Sequence, residues 1–214
     1  MLTLSRRTAT SLAVSFGMFA MLGVAAVDPA AADDKEIAQT LRAGGLVMVV
    51  RHGATFADQA DIDPLNFDNI AAQRNLNDKG KALAKTFGDA LRRVSVPIGK
   101  VYTSKYNRAY ETAVIAGFTD IEKTADLTEG GLVVSPNENN RRVEAFRKLL
   151  GTAPKPGTNT ILITHKPNIV DALGKDWFDV KEGEASLFRP EDGNYKLLAR
   201  IQMDEWPRVA MVGR

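Results

Sequence analysis

Apolar residues fall along the chain into short runs and spaced patterns that predict strands and helices in alternation. Residues 46–50 are consecutive apolar residues rich in valine, which is typical of a strand buried on both faces of a parallel sheet. Similar runs predict further strands at 101–104 and 160–164. Apolar residues at helical spacing, with capping signals at the ends, predict helices at 34–42, 78–94, 107–116 and 139–150.

The C-terminal part of the chain predicts a β-hairpin. Residues 185–188 and 195–201 flank the segment Glu191-Asp192-Gly193-Asn194, whose glycine suits a tight turn. Strands that alternate with helices predict an α/β fold with a mostly parallel sheet. The hairpin adds an antiparallel pair of strands to that sheet.

The connection from residue 54 to residue 73 is polar and too long to be a plain turn. It carries four aspartates, Asp58, Asp61, Asp63 and Asp68. We interpret it as a solvated loop or a substrate lid. A calcium-binding loop is the alternative, but the aspartates lack the glycine and terminal glutamate of an EF-hand.

The first 32 residues follow the pattern of an export signal. Arg6 and Arg7 precede an uncharged, mostly apolar stretch, and Ala30-Ala31-Ala32 matches the small residues of a cleavage site. We therefore predict an export signal at 1–32, cleaved to leave one domain at 33–214, in a periplasmic or secreted protein. An uncleaved membrane anchor is the alternative, because the uncharged stretch approaches the roughly 20 residues needed to span a bilayer.

The composition of the chain excludes several classes of function. The 214 residues carry a formal net charge of +2 and contain no cysteine. This charge makes no case for nucleic-acid binding, and the absence of cysteine excludes disulfides and thiolate nucleophiles. With two histidines in the whole chain, a histidine-rich metal site is not expected, and we predict neither a metal nor another cofactor.

Residues suited to binding an oxyanion follow the predicted strands. Arg51 and His52 end the first strand, Arg108 follows the second strand, which ends at Ser104, and His165 follows the third. Parallel strands joined by helices have their carboxyl ends at one edge of the sheet, where ligands bind in α/β folds. Arginines and neutral histidines that converge there predict a pocket for a tetrahedral oxyanion.

Four ordered motifs carry a resemblance to a known family. They are Arg51-His52-Gly53-Ala54-Thr55, Arg74-Asn75-Leu76-Asn77-Asp78-Lys79-Gly80, the segment from Ser104 to Ala113, and Thr164-His165. Together they resemble the histidine phosphatase superfamily, the branch with phosphoglycerate mutases and small phosphohistidine phosphatases. The resemblance implies a three-layer α/β/α sandwich with a mostly parallel sheet and an antiparallel edge.

The resemblance also implies a catalytic set. His52 would attack phosphorus and form a phosphohistidine, while Arg51, Arg108 and His165 would hold the phosphoryl oxygens. The segment Leu127-Thr128-Glu129 is similar to the one that carries the family's general acid, which makes Glu129 the candidate acid. No metal enters this mechanism.

Other residues are assigned less directly. Asp58 and Asp61 are rival candidates for the acid, and both are also expected to bind substrate as parts of the lid. Gly53 and Thr55 of the opening motif complete the expected substrate-binding set. Arg74 is either a phosphate contact or, the reading that we favour, a salt-bridge partner at the start of its helix.

Departures from the family pattern favour simple hydrolysis. Ala54 stands where mutase-like members carry glutamate, and the acidic loop offers no second anion site for a bisphosphate. We therefore predict an exported phosphatase that acts on a small phosphorylated substrate or a phosphorylated component of the cell envelope. The alternatives are a phosphomutase and a non-catalytic envelope module that binds a phosphorylated ligand.

Overall fold

The computed structural model describes residues 33–130 and 133–212. The predicted export signal at 1–32 lies outside these residues. The helices of the described part are α1 (Asp34–Ala43), α2 (Asp78–Val94), α3 (Asn107–Ile115), α4 (Pro136–Leu150), α5 (Lys166–Leu173) and α6 (Trp206–Val212). Its strands are β1 (Val47–Arg51), β2 (Ile98–Ser104), β3 (Ile121–Thr124), β4 (Asn159–Thr164), β5 (Ala185–Glu191) and β6 (Asn194–Ile201).

The strands form one mixed sheet in the order β3-β2-β4-β1-β5-β6. The first four are parallel to one another, and the hairpin β5–β6 runs antiparallel at the edge beyond β1. The predicted α/β class, with a mostly parallel sheet and an antiparallel edge, is confirmed. β4, which comes late in the chain, lies between β1 and β2.

Alternate residues of β1 face two separate cores. Met48 and Val50 belong to a buried cluster with apolar residues of α1, α2, α3 and α6. Val47 and Val49 belong to a second cluster with residues of α4 and α5. Helices therefore cover both faces of the sheet, which is why β1 has no polar side chain before Arg51. This arrangement is the predicted three-layer sandwich.

The helix ends follow from local capping. α1 ends at Gly44, which has a φ of 77°, and the Asn77 side chain caps α2 by accepting a hydrogen bond from the N–H of Gly80. α2 covers the predicted range, from Asp78 to Val94. The helix stops at Ser95, which takes the left-handed conformation with a φ of 58°, and Gly99 lies inside β2.

The remaining differences concern short elements. α4 begins at Pro136, earlier than the predicted residue 139, because Ser135 caps it by accepting a hydrogen bond from the N–H of Glu138. β3, α5 and α6 were not predicted. The hairpin is confirmed, and its turn residues Asp192 and Gly193 have positive φ angles of 49° and 83°. Within residues 33–130 and 133–212, no helix is both long and apolar enough to cross a bilayer.

Candidate active site

The carboxyl ends of β1, β4 and β2 are neighbours in the sheet and bring the oxyanion-binding residues together. Arg51 pairs with Thr164 across β1 and β4, and Thr103 pairs with Ile163 across β2 and β4. The rings of His52 and His165, which follow the ends of two of these strands, therefore face each other with centroids 5.1 Å apart.

His52 is buried and has a defined tautomer. Its Nδ1 lies 2.8 Å from the carbonyl oxygen of Gly53. Because a carbonyl oxygen only accepts, Nδ1 carries the hydrogen and Nε2 keeps its lone pair. Burial, followed by the nearby charge of Arg108, lowers the pKa of His52 to about 3. The ring is therefore neutral near pH 7, and its Nε2 is free to act as a nucleophile.

His165 is held by partners on both ring nitrogens. Its Nδ1 accepts from the Nε of Arg108 at 3.3 Å, since a guanidinium only donates. Nε2 therefore carries the hydrogen and donates to the Oγ of Ser104 at 2.7 Å. Burial, with the charge of Arg108 as the next cause, lowers the pKa of His165 well below its usual range. His165 is neutral in this arrangement and orients Arg108.

Arg108 connects the sheet edge to the two candidate acids. It is completely buried, and its guanidinium stacks 4.2 Å from the centre of the Tyr106 ring. Nη1 donates to Oδ1 of Asp61 at 2.9 Å, and Nη2 donates to Oε1 of Glu129. Oε1 of Glu129 also lies 3.5 Å from Nδ1 of His165. Arg108 thus binds both carboxylates, and the carboxylate of Glu129 also lies beside His165.

Arg51 keeps one donor unused. Its Nη1 donates to the carbonyl oxygen of Val180 at 2.8 Å, and its Nη2 lies 3.6 Å from Oε1 of Glu182. Its Nε is buried and has no hydrogen-bond partner within the described residues. A buried donor without an acceptor is uncommon and marks a place where an acceptor fits. An oxyanion beside His52 would supply that acceptor.

The segment from Val180 to Glu184 holds the carboxyl end of β1 in place. The sequence analysis did not identify this segment. The N–H of Gly183 donates to the carbonyl oxygens of Arg51 and His52, each at 3.0 Å. Glu184 is buried and accepts from Nε of Arg200 at 2.5 Å and from Nε2 of Gln202 at 2.7 Å. No motif marks this segment, because its role depends on antiparallel pairing of β5 with β1.

The other predicted substrate-binding residues lie in different surroundings. A side chain at Gly53 would come within 2.9 Å of the carbonyl oxygen of Gly80, so the close approach that requires glycine there is to α2. Thr55 is buried and pairs with Leu76 in an isolated bridge. Asp58 is exposed on the loop and forms no hydrogen bond or ion pair within the described residues.

Arg74 also lies near the pocket. Its positive charge contributes to the lowered pKa values of His52 and His165. Within the described residues its guanidinium forms no ion pair, so the salt bridge that we favoured at the start of α2 is not formed. Arg74 therefore adds a third positive charge near the histidines.

The chemistry of the pocket follows from these contacts. Arg51, Arg108 and two neutral histidines meet at one edge of the sheet, with the charge of Arg74 nearby. His52 presents a free lone pair, and the carboxylate of Glu129 lies beside His165. Among the described residues, no group of histidine, aspartate and glutamate side chains is arranged to hold a metal ion. The set suits nucleophilic attack on a tetrahedral oxyanion, with charge stabilisation by guanidinium groups.

Comparisons with known proteins agree with this geometry. Residues 47–133 match the profile of the histidine phosphatase superfamily, branch 1. The solved protein histidine phosphatase SixA, complexed with tungstate, has 17% identity and a TM-score of 0.52, over 75% of this chain and 98% of that chain. A mycobacterial glucosyl-3-phosphoglycerate phosphatase with bound VO3 has 16% identity and a TM-score of 0.51, over 72% and 97%.

A third structure is phosphoserine phosphatase from Entamoeba histolytica with 3-phosphoglyceric acid. It has 14% identity and a TM-score of 0.51, over 72% of this chain and 95% of that chain. At these identities the likeness shows a shared fold. No curated protein sequence matched the chain.

Proposed function

We propose that the chain, whose residues 47–133 match the model of the histidine phosphatase superfamily, hydrolyses phosphomonoesters through a phosphohistidine on His52. The superfamily implies phosphatase or phosphomutase chemistry in general. The observation that carries the proposal is the tautomer of His52, whose free Nε2 faces the arginine-lined pocket while Nδ1 is fixed on Gly53. The ring needs no base to activate it, because its lowered pKa keeps it neutral.

In the first step, Nε2 of His52 attacks phosphorus, the N–P bond forms and the bond from phosphorus to the ester oxygen breaks. The electron pair of that bond stays on the departing oxygen, which takes a proton from Glu129. Nε of Arg51 and the Nη groups of Arg108 stabilise the charge on the remaining oxygens. His165 keeps Arg108 in place. It would donate to a phosphoryl oxygen itself only after taking up a proton from solvent, which the charge of a bound dianion favours.

In the second step, water attacks the phosphohistidine and the N–P bond breaks. Glu129, now ionised, accepts the proton of the water, so the carboxyl and the imidazole return to their starting states. Inorganic phosphate then leaves. Hydrolysis is favoured over transfer between two substrates because the loop at 54–73 is acidic, which disfavours retention of a bisphosphate.

The test is phosphate release from p-nitrophenyl phosphate by the purified protein, with and without EDTA. We expect turnover that EDTA leaves unchanged and that His52→Ala abolishes without loss of fold by circular dichroism. Brief quenching with labelled substrate should trap phosphate that is labile in acid and stable in base. Trapped phosphate on another residue, or activity restored by a divalent ion, would contradict the mechanism. Dependence on a bisphosphate primer would indicate a mutase.

We also propose that the protein acts outside the cytoplasm, on small phosphorylated molecules or phosphorylated components of the envelope. Support comes from the basic start, the uncharged stretch and the Ala30-Ala31-Ala32 site, all in the part of the chain outside the described residues. Mass spectrometry of the envelope fraction should find a protein that begins near Asp33. An intact N-terminus in the cytosolic fraction would contradict the proposal.

A further inference from the structure

The carboxylate of Asp61 is hydrogen-bonded to Arg108, whose guanidinium is expected to bind the phosphate. Its Oδ1 accepts from Nη1 of Arg108 at 2.9 Å and from the backbone N–H of Arg74, also at 2.9 Å. The side chain of Arg108 is completely buried, whereas that of Asp61 is 19% exposed. Asp61 therefore reaches into the pocket from its solvent side.

Arg108 has too few free hydrogens to grip a phosphate in this state. A guanidinium has five N–H hydrogens. Nε donates to His165, Nη1 donates to Asp61 and, at 3.4 Å, to the carbonyl oxygen of Arg74, and Nη2 donates to Glu129. One hydrogen is left, and a two-point grip on a phosphate needs two. Release of a carboxylate from Arg108 would supply the second hydrogen and would also remove a negative charge that opposes phosphate.

The charges of the pocket lead to the same result. Three arginines (Arg51, Arg74 and Arg108) face three carboxylates (Asp61, Glu129 and Glu182), so the formal charges cancel. A phosphate dianion would leave the pocket with two negative charges. The proton that Glu129 must hold as an acid removes one of them, and departure of Asp61 removes the other.

Asp61 is better placed to leave than Glu129. It belongs to a long loop, and its neighbour Ile62 is 79% exposed. Glu129 follows the buried Thr128, whose Oγ1 accepts from the N–H of Lys105 at 2.9 Å and from Ser104 at 3.2 Å. The backbone before Glu129 is thus fixed to the end of β2. The backbone after Asp61 is instead attached to its own loop, where the N–H of Ile62 donates to the carbonyl oxygen of Ala72 at 2.9 Å.

We propose that Asp61 is the counter-ion of Arg108 in the empty site, and that phosphate displaces it on binding. This inference rests on the proposed function, because it takes the pocket to be the phosphate site. Asp61 lowers the affinity for free phosphate, the product, and so favours its release. It limits which anions stay bound, and it is neither the acid nor a direct ligand of the substrate.

The test is calorimetric titration of the protein with inorganic phosphate. Asp61→Asn and Asp61→Ala should each bind phosphate about 10-fold more tightly than the unmodified protein, which is about 1.4 kcal/mol. Asp61→Glu should restore the weaker binding. The matched control is Asp68→Asn, which removes an exposed carboxylate from the same loop and should leave the dissociation constant unchanged. The inhibition constant of phosphate as a product should change in parallel.

The direction of the change in phosphate affinity distinguishes a counter-ion role of Asp61 from a purely structural role. If Asp61 merely supported the fold or the position of Arg108, its loss would weaken phosphate binding. Unchanged or weaker binding in both Asp61→Asn and Asp61→Ala would therefore overturn the inference while leaving the proposed function intact. If none of the proteins, including the unmodified one, binds phosphate, the proposed function fails as well.

Discussion

Replacement of Ser104 by alanine should lower both stability and activity, because the hydroxyl of Ser104 fixes the tautomer of His165. Oγ of Ser104 accepts from Nε2 of His165 at 2.7 Å and from the N–H of Tyr106 at 3.1 Å. It donates in turn to Oγ1 of Thr128 at 3.2 Å. All of these groups lie at the buried end of β2. In Ser104→Ala, two N–H donors lose their acceptor.

The size of the effect follows from the cost of leaving a buried donor without a partner. Each such group costs about 1–3 kcal/mol, so two should lower the free energy of unfolding by about 2–6 kcal/mol. The activity should fall as well. Without Ser104, the hydrogen of His165 can move to Nδ1, where it would point at the Nε of Arg108, a donor that faces it. If the misplaced Arg108 raises the activation free energy by about 1.4–2.8 kcal/mol, kcat should fall about 10- to 100-fold.

The assay pairs urea unfolding with phosphate release from p-nitrophenyl phosphate, and Thr103→Val is the matched control. Thr103 precedes Ser104 and is equally buried, but its Oγ1 has no hydrogen-bond partner within the described residues. The isosteric change should therefore be close to neutral in both measurements. If Ser104→Ala were no worse than Thr103→Val, the reasoning that His165 depends on this hydroxyl would be refuted.

Three further predictions concern the acid, the nucleophile and the turn after β1. Glu129→Gln should slow hydrolysis of an alkyl phosphate by about 10²–10⁴-fold and barely change that of p-nitrophenyl phosphate, which needs no proton; equal losses on both substrates would contradict its role as acid. Because the pKa of His52 falls from 6.5 to about 3 on folding, the unfolded chain binds more protons between these values, so stability decreases as the pH falls. The loss between pH 6.5 and pH 5, measured by urea unfolding, should be about 1.6 kcal/mol smaller in His52→Gln than in the unmodified protein. An equal loss in both proteins would contradict the buried neutral state. Gly80→Ala places a Cβ 2.1 Å from the carbonyl oxygen of Ala54, so the free energy of unfolding should fall by about 3 kcal/mol, and an unchanged urea midpoint would show that the contact relaxes freely.

The sequence predicted the central strands because their patterns are local. β1 and β4 are apolar runs that stop at a polar residue, so the carboxyl ends that carry the functional residues could be located from the local pattern alone. β3 could not be found in this way, because Ile121-Glu122-Lys123-Thr124 has one apolar residue and lies at the polar edge of the sheet. α5 is short and has a proline in its first turn, which weakens any helical pattern.

The site could be predicted only as far as the strand ends determine it. Motifs indicated His52, Arg108 and His165, but the partners that fix their tautomers come from the three-dimensional path of the chain. The contact between Asp61 and Arg108 spans 47 residues and depends on how the long loop folds back. No spacing in the sequence specifies that path, which is why Asp58 and Asp61 could not be told apart beforehand.

The position of β4 has a consequence for how the protein folds. β1 and β2 share no ladder within the described sheet, and each is hydrogen-bonded to β4 instead. The partners Val47 and Thr160 are far apart in sequence, so the parallel core forms only after a large loop closes. Such non-local pairing slows folding. During synthesis, the nucleophile and its arginines are therefore made long before the strand that brings them together, and the pocket is completed only when residues 159–165 insert.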